Sequence, residues 1–95
     1  MKKWCTIRID DTYLQVNFEG EIYRLMKSNK WKLVYNYCNH INGMNVLLIG
    51  NKQYTRSKIL GCTYYNLDIN NKYICKFRDK NRMNCNINNL QFIEI

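Results

Sequence analysis

Ninety-five residues allow one compact domain and not two, and leave no room for a deep substrate cleft with walls of its own. Lysine and arginine number 15 against 7 acidic residues; the formal charge of +8 gives so small a body a strong positive field, for which phosphate backbones are the commonest partners. No apolar run approaches the roughly 20 residues of a membrane span, and the charged start at Lys2-Lys3 leads into no apolar signal segment, so a soluble, cytoplasmic protein is expected.

In chain order, residues 1–56 read as β. Trp4 to Asp10 alternates, with Cys5, Ile7 and Ile9 on one face and Thr6, Arg8 and Asp10 on the other; only Trp4 breaks the polar face. Tyr13 to Phe18 alternates with Leu14, Val16 and Phe18 on one face. Glu19-Gly20 makes a turn into Glu21 to Leu25, Lys27 to Lys30 is a polar loop, and Trp31 to Tyr35 is a further strand. Asn42-Gly43 signals a turn. Val46 to Ile49 and Gln53 to Arg56 flank Gly50-Asn51-Lys52, a hairpin turn because glycine and asparagine tolerate positive φ.

The pattern changes at Ser57, a good N-cap because its hydroxyl accepts an orphan backbone N–H. Ile59, Leu60, Thr63 and Tyr64 fall at helical spacing and predict a short helix over about 58–65. Asn70-Asn71 is a turn, Tyr73 to Phe77 a strand, Asp79 to Asn84 a polar loop, Asn86 to Leu90 a helical turn or short helix and Gln91 to Ile95 a closing strand. The expected class is α+β, dominated by antiparallel sheet, in a single domain with a β-rich part to about residue 56 and a second part over about 57–95.

Cys5, Cys38, Cys62, Cys75 and Cys85 are odd in number and form no C-x-x-C pair, which argues against a zinc knuckle and against a disulfide framework. His40, the only histidine, sits two residues from Cys38, and a metal there would need two more ligands from scattered cysteines. Reduced, half-buried thiols are the better account. The chain has no proline and no alanine and is rich in Asn, Lys, Ile and Tyr, a coding bias of AT-rich genomes, of which a phage or other virus is one natural source. The same bias can fill a chain with asparagines that carry no function.

The most specific stretch runs from Asp79 to Leu90. It resembles the second half of the HNH homing endonuclease motif, in which a strand ends in His-Ile-Asp-Gly-Asn and x-x-Asn-Asn-x-x-x-Asn-Leu follows. Asp79, Asn81, Asn84, Asn89 and Leu90 match that pattern in order and spacing, and Gln91-Phe92-Ile93 matches the short strand after it. Tyr54 to Tyr64 is similar to the family's Tyr-x-x-His-Arg-Leu-Val-Ala segment at the start of its helix. Tyr13 to Leu25 with Trp31-Lys32-Leu33 resembles the small β module that precedes the nuclease in such proteins.

The resemblance implies a ββα-like unit in the C-terminal part, and a motif in which asparagines, whose amides both donate and accept, lock a tight loop without a metal. It also implies lost chemistry. Aligned on Asp79, the general-base histidine becomes Phe77, which cannot accept a proton. The metal-ligating residue before it becomes Lys76, which would repel a divalent cation. The histidine at the helix start becomes Ser57, the turn glycine Lys80, and the second asparagine of the pair Cys85. His40 lies in another segment and cannot be carried onto the motif.

No cofactor, no metal and no catalytic residue are therefore expected. Arg56, Lys58, Lys76, Arg78, Lys80 and Arg82 are the expected phosphate-binding residues, clustered around the positions of the lost site. Tyr64, Tyr65 and Tyr73 are candidates for base stacking, although core packing is the commoner use of such rings. The expected function is nucleic-acid binding, DNA favoured, on a degenerate HNH scaffold. Two alternatives stay open: a small phage or viral interaction protein that docks on a host or phage protein, and an active nuclease built unusually from Asp79 and the asparagines.

Overall fold

The structure, a computed structural model, describes residues 2–95. It is a small α+β fold of eight strands in antiparallel sheets and one α-helix. Strands β1 (Cys5–Ile9), β2 (Thr12–Val16), β3 (Ile22–Leu25) and β4 (Trp31–Val34) form a meander in sequence order. Strands β5 (Val46–Ile49) and β6 (Lys52–Thr55) form a hairpin, followed directly by α1 (Arg56–Tyr64). Strands β7 (Tyr73–Phe77) and β8 (Leu90–Glu94) pair across a long loop that ends in a 3-10 turn, Ile87–Asn89.

Alternation sets the register of the meander: Cys5 pairs with Val16, Ile7 with Leu14, and Val16 with Ile22, so these apolar residues share one face, which Arg24 and Lys32 continue towards the β4 edge. Ile9, Leu14, Val16 and Ile22 from that face meet Leu47, Ile49 and Tyr54 from the β5–β6 hairpin and Ile59 and Leu60 from α1. Cys85, Ile87 and Leu90 complete the same cluster, so both parts of the chain share one core. Among the described residues no helix is long and apolar enough to cross a membrane.

The β2–β3 turn shows how the two parts are joined. Asn17 is buried; its amide donates to Glu21 Oε1 at 2.9 Å and its carbonyl oxygen accepts from Glu21 N at 3.0 Å. Gly20 sits at φ 85°, and a Cβ there would lie 2.6 Å from the backbone oxygen of Cys85. Ile87 N donates to Phe18 O at 2.8 Å. The turn and the C-terminal loop thus touch backbone to backbone.

The structure corrects several expectations. Phe18 does not continue the buried face: the chain turns at Asn17, and Phe18 stays 57% exposed with its ring edge-on to Tyr64. The N-cap is Thr55, not Ser57, since Thr55 Oγ1 accepts from Lys58 N at 3.2 Å and α1 already runs from Arg56. Ser57 lies inside the first turn, buried, its hydroxyl 3.3 Å from Thr55 Oγ1. The expected helical turn over Asn86 to Leu90 is shorter, Ile87–Asn89, because Leu90 already pairs with Phe77 as the first residue of β8.

Candidate nucleic-acid interface

Arg56 does not reach solvent. It is 1% exposed, with Nε donating to Asn45 Oδ1 at 2.9 Å, Nη1 to Gly20 O at 2.8 Å and Nη2 to Val34 O at 2.6 Å. Burial pulls the guanidinium down from its ordinary pKa, and each of these three hydrogen bonds goes to a neutral oxygen of the fold. The expectation that Arg56 binds phosphate is therefore corrected: the first turn of α1 is enclosed by the β2–β3 turn, the end of β4 and the loop before β5, and the residue ties those three segments together. Nothing in its sequence surroundings marks a buried arginine.

Of the other five expected cations, Lys58 is half-buried and Lys76, Arg78, Lys80 and Arg82 are exposed. Lys58 Nζ donates to Asn71 O at 2.6 Å and lies 5.9 Å from the centre of the Tyr73 ring. Lys76 is exposed on the outer face of β7, opposite Phe77, because successive strand residues alternate. It shares that face with Ile74 and with its cross-strand partner Gln91. Arg78 and Lys80 are exposed beyond the strand end. Arg82 is exposed too, with Nη1 donating to Asn42 O at 2.6 Å.

The geometry instead defines a cleft between β6, the start of α1 and β7. Its inner end is a pocket of about 250 Å³ lined by Met44, Thr55, Ser57, Tyr73, Cys75, Phe77 and Arg82. Thr55, Ser57, Tyr73 and Cys75 also line the adjoining cavity of about 570 Å³, whose cations are Lys52, Lys58 and Lys72. No aspartate or glutamate lines either. Sequence reading missed Lys52 and Lys72, which sit far from the motif in the chain. Only the overall charge hinted at them.

This cleft does not suit a catalytic metal. Phe77 and Ser57 offer no imidazole. The Cys75 thiol is pushed up by burial. Among the described residues no group of three or more His, Cys, Asp or Glu is close enough to hold an ion. His40 Nδ1 accepts from Asn42 N at 3.2 Å, and all five cysteines are free.

Asp79 is engaged as well. Oδ1 accepts from Asn81 N at 2.8 Å and from Asn89 Nδ2 at 2.9 Å, and Oδ2 from Asn84 Nδ2 at 2.7 Å. These bonds, that of Asn84 foremost, hold its carboxyl below the usual carboxylate range. Asn89 replies through Oδ1, which accepts from Asp79 N at 2.9 Å, and Nδ2 also donates to Asn84 O. Asn81, Asn84 and Asn86 each accept from the backbone N–H two residues on. The loop is closed by side-chain amides around a carboxylate, and Leu90 follows into the core.

The hydroxyls of the three tyrosines considered for stacking are bonded within the fold. Tyr64 donates to Val16 O at 2.9 Å and Tyr65 to Ile87 O at 3.0 Å, while the Tyr73 hydroxyl accepts from Asp68 N at 3.0 Å. Of the three, only Tyr73 lines the cleft. Compared with known proteins, the chain matches no family model, no curated protein and no solved structure.

Proposed function

We propose that the chain binds nucleic acid, DNA favoured, through the phosphate backbone, on a degenerate scaffold of HNH type that no longer cleaves. The observation that carries this reading is the pocket itself. Ser57 and Phe77, the two positions where the resemblance puts the family's histidines, lie on different elements yet line one pocket, which adjoins a cleft of cations lined by no aspartate or glutamate. A ββα-like reading of β7, β8 and α1 rests on the same juxtaposition.

Cleavage of a phosphodiester needs a group that activates water and one that stabilises the charge developing on phosphorus. Phe77 supplies no base, and Asp79 spends both oxygens on its own loop. Lys52, Lys58, Lys72 and Arg82 supply attraction alone, which acts on any sequence and weakens with salt.

A retardation assay with random duplex DNA across a salt series tests the reading. Log K is expected to fall linearly with log salt, and supercoiled plasmid is expected to stay intact with Mg²⁺ or Mn²⁺. Binding that ignores salt, or no binding at all, would overturn the first half; cleaved plasmid would overturn the second. A protein partner is the second reading. It is favoured by the exposed cross-strand pair Ile74 and Ile93 on the outer face of the β7–β8 hairpin, with Ile95 exposed beyond it.

A further inference from the structure

The four-stranded meander buries one face only, and its other face is not the polar surface that a solvated antiparallel sheet normally presents. The register sets one row of Thr6, Gln15, Tyr23 and Leu33 across all four strands. A second row begins with the pair Arg8 and Tyr13 and ends with the pair Leu25 and Trp31. Trp4 leans edge-on against Tyr23, with ring centres 5.2 Å apart. Trp4, Tyr13 and Trp31 remain 37%, 42% and 39% exposed. Solvent-facing rings gathered on one face mark an interaction surface.

Charge says what kind. The β3–β4 turn, beside the Leu25–Trp31 pair, carries exposed Lys27 and Lys30, whereas Lys32, paired with Arg24, belongs to the opposite face of the sheet. Neither Lys27 nor Lys30 is in an ion pair among the described residues. At the opposite corner Arg8 is held by Asp11, at 3.2 Å, and by Asp10 O, and its guanidinium lies 5.8 Å from the centre of the Tyr13 ring. Free positive charge thus lies along the Trp31 edge. A second copy of a chain carrying +8 would bring like charge to that edge.

We propose that this face is a stacking platform for the bases of single-stranded nucleic acid, with Trp31, Tyr23 and Tyr13 under the bases and Lys27 and Lys30 along the backbone. A duplex keeps its base faces inside its own stack, so rings on an open sheet can reach only unpaired bases. Stacking of this kind is tolerant of sequence because every base has a π-face. The inference rests on the nucleic-acid reading but uses a surface separate from the cleft.

The test compares three probes of about 10 nucleotides: an oligothymidylate strand, an abasic strand of the same length and charge, and a duplex. The oligothymidylate is expected to quench tryptophan fluorescence and to bind at least about fivefold tighter than the abasic strand. Trp31→Ala and Tyr13→Ala should each reduce that margin, Trp31→Phe should keep it, and duplex affinity should stay as in the parent. Equal affinity of the parent for the oligothymidylate and abasic strands overturns the proposal without any variant. So does a Trp31→Ala protein that keeps the margin, or a parent dimer that this substitution splits. A protein that binds the duplex but shows no base-dependent margin fails here and leaves the cleft reading standing, whereas one that binds none of the probes overturns both.

Discussion

Arg56 carries its charge into a place where no carboxylate meets it, and its partners Asn45, Gly20 and Val34 offer only neutral oxygens. An arginine tolerates this better than a lysine, because its charge is delocalised, more weakly hydrated and spread over a fork that reaches several acceptors at once. Arg56→Lys cannot span all three, and Arg56→Met leaves all three unmet. Each is expected to cost about 2–4 kcal/mol, read as a lower midpoint in urea unfolding. A phosphate-binding role alone would leave that midpoint in place. Lys80 presents the opposite case. It holds φ 64°, a conformation that costs an L-residue roughly 1–2 kcal/mol, at the position where the resemblance puts a glycine. Lys80→Gly should raise stability by about 0.5–1 kcal/mol, the relief of strain exceeding the added chain entropy. Gly20→Ala should do the reverse, because the obstacle to its Cβ is the backbone oxygen of Cys85 and cannot rotate away.

The strands were legible in the sequence because alternation of apolar residues is the same physical fact as burial of one sheet face: Ile7, Ile9, Leu14 and Val16 read correctly. The limits were harder, since Thr55 and Ser57 are both good caps and the helix takes Thr55, whose hydroxyl accepts from Lys58 N. The asparagines also proved more than coding bias. Asn17, Asn39, Asn45, Asn81, Asn84, Asn86 and Asn89 each close a turn or loop through a side-chain bond. Buried Asn89 is central to its loop, and Asn89→Ala should cost about 2–3 kcal/mol in chemical denaturation, because its bonds vanish and their partners are left unmet. Asp79 adds a pH signature. Its pKa is lowered in the fold from an ordinary value of 3.8, so the stability it contributes is present above that value and is lost as pH falls through the depressed one. Asp79→Asn should destabilise the protein at neutral pH, because three converging donors lose a charged acceptor. It should also lose less than the parent when pH falls below about 4.5, seen by acid titration of the circular dichroism signal.

Charge at the scale of the whole molecule was legible only as a sum. A net +8 foretells attraction to phosphate, but it cannot say which of the cations share a surface. Nearness in the chain suggested Lys76, Arg78, Lys80 and Arg82, yet strand alternation turns Lys76 away from the pocket that Arg82 lines, and the cleft draws Lys52 and Lys72 from segments far apart in the chain. Two triple variants separate these sets. Lys52, Lys72 and Arg82 changed together to alanine remove cations from the cleft, while Lys76, Arg78 and Lys80 changed together remove the same charge from the outer face of β7 and the turn beyond it. Both proteins keep the same net charge, so a general field effect would weaken binding equally in the two. Direct neutralisation of phosphates in the cleft would not: the salt slope falls by about one unit for every phosphate that a side chain no longer neutralises, so the first variant's slope should drop by up to about three units and the second's by much less. The weakening should be even across duplexes of different sequence, since interactions with the backbone carry no base information. Equal slopes for the two variants would leave the cleft as ordinary charged surface. A larger drop in the second would return the interface to the β7 face, beside the exposed Ile74 and Ile93.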